Sequence, residues 1–75
     1  MTTTNPYTSR IKQRGATKFQ RDQLKQRERG WNDYHAGKDI MAYYDAPLRL
    51  APEVGRANYN VGWRLAKEKA IKGAA

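Results

Sequence analysis

Apolar residues recur at helical spacing in two stretches of the 75-residue chain. In the first, at about 100° per residue, Phe19, Leu24, Trp31 and Tyr34 share one broad arc, while Lys18, Arg21, Lys25 and Arg29 stack on another. Thr17 followed by Gln20 has the form of a capping box, in which hydroxyl and side-chain amide each satisfy an orphan backbone N–H. Gly37 is placed to close the helix in a left-handed conformation that glycine adopts cheaply. The pattern predicts a first helix over about 17–36.

The second stretch opens on Pro52, whose missing N–H costs nothing at a first helical position, with Glu53 beside it at the positive end of the dipole. Val54, Ala57, Val61 and Leu65 form one stripe, and Tyr59, Trp63, Ala66 and Ala70 a second on nearly the opposite side. Lys67, Lys69 and Lys72 gather where cations complement the dipole, and Gly73 follows them. A second helix over about 52–72 is predicted. Its two faces call for two neighbours, the first helix and either the connector or an external partner.

Gly30 and Gly62 lie inside these helices, where each costs about 1 kcal/mol relative to alanine, so each needs a reason. Close approach of the two helices supplies one; a kink or break at Gly30 is the competing expectation. Trp31 is expected in the core and Trp63 against the first helix or the connector, which leaves Arg56 and Arg64 outward.

Between the helices, DIMAYYDAPLRLAP contains Pro47 and Pro52, each of which biases the residue before it away from helix. Ile40, Met41, Tyr43, Tyr44, Leu48 and Leu50 are too apolar to be left in water, so this irregular apolar connector is expected to fold over the helices, with a helical turn around 40–44. Residues 1–16 are polar and basic, with little beyond Tyr7 to bury near the start, and read as a flexible, disordered basic N-terminal tail in which SRIKQRGA could add one helical turn from Ser9. The expected fold is all-α, a small two-helix hairpin-like domain spanning 17–75.

Composition limits what such a domain can do. With 39% hydrophobic and 29% charged residues and a mean hydropathy of −1.03, the chain has a small core and no room for a large catalytic cavity. There is no cysteine, which rules out disulfides and cysteine-type zinc sites and suits a cytoplasmic setting. No window supplies the roughly 18 apolar residues of a membrane span, and the N-terminal stretch lacks both the apolar core of a signal peptide and the stripe of a transit peptide.

Charge changes the picture more. The net charge is +8; residues 1–30 hold 8 basic and 2 acidic groups, residues 31–55 hold 2 and 4, and residues 56–75 hold 5 and 1. Two basic segments flank a mildly acidic centre, the footprint of a protein that meets phosphate backbones. Arg10, Lys12, Arg14, Lys18, Arg21, Lys25, Arg29, Lys38, Arg56 and Arg64 are the candidate phosphate contacts. Tyr43, Tyr44 and Tyr59 are candidates to stack on unpaired bases, though in so small a chain aromatics are equally the material of the core.

Nothing points to catalysis, a metal or a cofactor. The glycines lack the strand-then-helix context of a phosphate loop. His35 is the only histidine and is expected to be a packing or surface residue, and Asp33, Asp39 and Asp45 fit capping or pairing with the basic stripes.

Two linked motifs stand out: Arg29-Gly30-Trp31 followed by Ala36-Gly37-Lys38, and Arg56, Tyr59, Gly62-Trp63-Arg64 and Ala66. In order and spacing they resemble the ribosome modulation factor family of small basic bacterial proteins, over roughly Lys18 to Lys69. The chain departs from that family in its longer connector, its lack of a Cys-Pro-Tyr element and its extended N-terminus. The resemblance implies a two-helix factor that binds the small ribosomal subunit near the 3′ end of its RNA, beside neighbouring ribosomal proteins, blocks initiation and promotes inactive ribosomes. The Gly–Trp residues are read as structural from their place in the helices, and the basic residues as RNA-binding from the charge layout. The chain is expected to be monomeric when free. The alternatives are a small phage- or plasmid-type inhibitor that lays its Tyr59, Trp63 and Ala66 face into a groove on a host enzyme, and a nonspecific nucleic-acid-binding protein.

Overall fold

The capping box expected at Thr17 starts the main helix: the Gln20 backbone N–H donates to Thr17 Oγ1 at 3.1 Å, and the Thr17 N–H donates to Gln20 Oε1 at 3.0 Å. The computed structural model describes residues 5–40 and 50–74, with α1 at Thr8–Ile11, α2 at Lys18–His35 and α3 at Pro52–Ala74. Among the described residues there is no strand. The protein is all-α, as its periodicity predicts.

At the other end of α2, Gly37 takes a φ of +80°, its N–H donates to the Tyr34 carbonyl at 3.0 Å, and the Lys38 N–H reaches the Asp33 carbonyl at 2.8 Å. These two bonds form a Schellman close, which glycine permits because it has no Cβ to clash in the left-handed region. Lys38 and Asp33 then pair through their side chains at 3.9 Å. α3 begins at Pro52, and the Gly55 N–H donates to the Ala51 carbonyl at 3.0 Å. It runs past Lys72 and through Gly73 to Ala74, slightly beyond the expected end.

α2 is continuous through Gly30, so a break does not explain that residue. A Cβ at Gly30 would overlap the Tyr59 carbonyl oxygen and lie 2.8 Å from the Trp63 nitrogen; one at Gly62 would overlap the Arg27 carbonyl oxygen and lie 2.6 Å from its carbon. Every clashing atom is backbone and cannot rotate away. The two glycines are therefore where α2 and α3 cross, backbone against backbone, and the approach expected of them is what the structure has.

Around that crossing Trp31, Tyr59 and Ala66 are fully buried, with Leu24, Tyr34 and Leu65 partly so. The stripe Tyr59, Trp63, Ala66 and Ala70 is thus the one turned to the core. On the opposed stripe Val54 and Leu65 are half-buried, whereas Ala57 and Val61 face solvent. Phe19, expected on the apolar arc of α2, is 53% exposed, because it sits at the first turn beyond the reach of the core.

Within the segment read as a flexible tail, residues 5–16 rest against the helices. Tyr7 joins Trp31 and Ala66 in the core. Asn5 Nδ2 donates to the Glu28 carbonyl and to Asn32 Oδ1, both at 3.0 Å, and Thr8 Oγ1 donates to Glu28 Oε2 at 2.6 Å. One buried aromatic and three hydrogen bonds hold a segment whose own propensity is weak. α1 is the helical turn foreseen near Ser9, and Gly15, at φ +84°, turns the chain from it into α2. In the connector, Leu50 is buried and Ile40 half-buried, as expected; Met41, Tyr43, Tyr44 and Leu48 lie outside the described residues.

The molecule measures 38 × 28 × 15 Å. Exposed residues on both α2 and α3 show that each helix keeps an outward face.

Candidate nucleic-acid interface

The expected basic residues sort by what holds them. Arg10 lies on α1, and Lys12 and Arg14 in the turn after it; Lys18, Arg21 and Lys25 lie on α2 and Arg56 and Arg64 on α3, all exposed. The side-chain ion pairs found among the described residues, Lys38–Asp33 and Lys72–Glu68, use none of these eight cations. Lys38 is exposed but committed to the close of α2. Arg29 is half-buried, and its charge acts on the Tyr59 phenol.

Tyr59 is a correction. Its ring is 0% exposed and its hydroxyl donates to Asp33 Oδ2 at 2.6 Å, so no face remains for a base. Burial, then the hydrogen bond to the Asp33 carboxylate, pushes the phenol well above its ordinary pKa near 10. The same burial corrects the expectation that Tyr59 and Ala66 could dock in a host enzyme's groove: that face is spent on α2. Tyr43 and Tyr44 lie outside the described residues.

Trp63 packs on the first helix as expected. Its ring meets Tyr34 edge-on at 5.2 Å, its indole N–H donates to the Lys38 carbonyl at 2.9 Å, and Lys67 Nζ lies 5.6 Å from the ring centre. Trp63 thereby ties α3 to the loop that closes α2. His35 is exposed and leans on Trp31 and Tyr34 at ring distances of 5.3 and 5.4 Å, a packing role. Trp31, Ala66, Gly30 and Gly62 are structural, and Ala36 and Gly37 form the helix close.

One feature has no counterpart in the sequence pattern. Between α1, the Gly15 turn and α2 lies a cleft of about 380 Å³ lined by Arg10, Arg14 and Arg27 together with Gln13, Gln20 and Gln23, over Leu24. No acidic side chain lines it. Arg27 is held there by α3: its Nε donates to Asn58 Oδ1 at 2.8 Å, and Asn58, itself buried, donates from Nδ2 to the Val54 carbonyl at 2.9 Å. The available signal for Arg27 was its position three residues before Gly30, on the face that α3 must approach.

No protein-family model matches the chain, and no curated protein or solved structure aligns with it significantly. Among the described residues no helix is long and apolar enough to cross a membrane, and no group of three or more His, Cys, Asp or Glu could hold a metal ion.

Proposed function

We propose that the protein binds ribosomal RNA of the small subunit and silences ribosomes, acting as a hibernation-type factor in the cytoplasm without catalysis. The observation that carries this reading is the set of eight exposed cations, used by no ion pair within the described fold, five of which (Lys18, Arg21, Lys25, Arg56 and Arg64) stand on helices locked together at Gly30 and Gly62. Such an array attracts polyphosphate and loses little conformational freedom on binding, because the helices that carry it are already fixed. The two Gly–Trp pairs that resemble those of the ribosome modulation factor family lie at the helix crossing in this fold.

The test is sucrose-gradient sedimentation of the purified protein with ribosomes and separated subunits. Comigration with the small subunit at low salt, lost as salt rises, is expected. Protein that stays at the top of the gradient at every salt concentration would remove the proposal. Comigration that survives nuclease treatment of the particles would point instead to a protein partner.

A further inference from the structure

We infer that the cleft between α1 and α2 is a binding site for one unpaired nucleotide, its phosphate on Arg10, Arg14 and Arg27 and its base against Gln13, Gln23 and Leu24. The inference deepens the nucleic-acid reading above and rests on it.

Three observations meet at this place. The cleft's volume of about 380 Å³ lies in the range of small-ligand sites, which begin near 300 Å³. Three arginines line the cleft with no carboxylate among its lining residues, and guanidinium matches the planar, forked geometry of phosphate oxygens. The remaining wall is carboxamide and aliphatic. Glutamine offers the paired donor and acceptor that a base edge presents, and the Leu24 side chain supplies an apolar floor for its face. A base paired inside a helix could not enter such a recess, since its edge is already used, so the ligand is single-stranded or extruded.

The cleft is also organised before any ligand arrives. Arg27 is aimed by Asn58 from α3, and Gln20 is fixed by its part in the capping box. Arg10 and Arg14 are brought opposite them by the burial of Tyr7 on one side and the left-handed turn at Gly15 on the other. An isolated basic patch needs none of this support, and a site that must hold one residue of a ligand does.

The experiment is titration of the ¹⁵N-labelled full chain, followed by NMR, with three probes: inorganic phosphate, adenosine 5′-monophosphate and a single-stranded tetra-adenylate. The expected result is saturable shifts confined to residues 10–27, with adenosine monophosphate binding at least tenfold tighter than phosphate. Tetra-adenylate binding tenfold tighter again marks RNA as the source of the nucleotide; equal affinity marks the free mononucleotide. Arg14→Gln, at an exposed position, should weaken the mononucleotide about tenfold, while Lys69→Gln leaves it within about twofold. Phosphate binding as tightly as the mononucleotide, shifts centred on Arg56 and Arg64, or an Arg14→Gln variant equal to wild type overturns the inference. Sedimentation with ribosomes in the absence of cleft shifts removes the cleft alone. Cleft shifts without sedimentation remove the ribosome reading alone.

Discussion

Tyr59 holds α3 to α2 through a hydroxyl that has no water to fall back on. The bond to Asp33 is short and the ring is fully enclosed. Tyr59→Phe keeps the packing and removes the donor, leaving the carboxylate with Lys38 at 3.9 Å. A hydrogen bond to a charged group contributes about 1.5–3 kcal/mol, and urea unfolding at neutral pH should show a loss of that size. The same contact makes stability depend on alkaline pH. The folded phenol holds its proton more tightly than the unfolded one, so its contribution is complete below the ordinary pKa near 10 and declines as pH rises through and beyond it. Unfolding free energies measured from about pH 8 to about pH 11 should fall more steeply for the wild type than for Tyr59→Phe. Parallel curves would mean that Tyr59 titrates alike in both states. None of this is legible at position 59 of the sequence, where an aromatic at helical spacing serves equally as core or as stacking platform. The residue that decides, Asp33, lies 26 positions away.

Among the helices, the crossing of α2 and α3 sets what each can present. Intrinsic propensity says that Gly30→Ala and Gly62→Ala should each stabilise their helix by about 1 kcal/mol. The structure reverses the sign. The added carbon meets a carbonyl of the other helix in both cases, the helices must part, and overpacking of this kind costs about 1–3 kcal/mol. Thermal melts followed by circular dichroism should show both variants below wild type; a variant that melts higher would mean that the backbones do not touch. The crossing was legible because glycine inside a helix is costly enough to demand a cause. Thr17, Gln20 and Gly37 were legible for a similar reason, since caps need particular side chains at particular places. The docking of α1 was not. Tyr7 is a lone aromatic in a polar segment, and its neighbours Trp31 and Ala66 come from the two other helices. Arg27 was hidden in the same way, for its direction comes from Asn58, 31 residues on.

For the whole molecule the deciding quantity is how charge is laid out on a body 15 Å thick. Lys18, Arg21 and Lys25 on α2 and Arg56 and Arg64 on α3 are held in fixed relation by the glycine crossing, so a single polyanion that reaches both helices must meet them together. Each phosphate neutralised contributes about 0.9 to the slope of log affinity against log salt on duplex RNA-like helices, and about 0.7 on single strands. If the small subunit contacts both helices, Lys18→Gln with Lys25→Gln should lower the slope by about 1.4–1.8, and Arg56→Gln with Arg64→Gln by a similar amount. The quadruple variant should lose both increments, because exposed and well-separated charges add. The measurement is subunit binding at five or more salt concentrations by filter retention or sedimentation. A slope that responds to the α2 pair and ignores the α3 pair would place the RNA on one face only, with α3 serving to brace the crossing and aim Arg27. A slope that ignores both pairs would move the contact to Arg10, Lys12 and Arg14, next to the cleft.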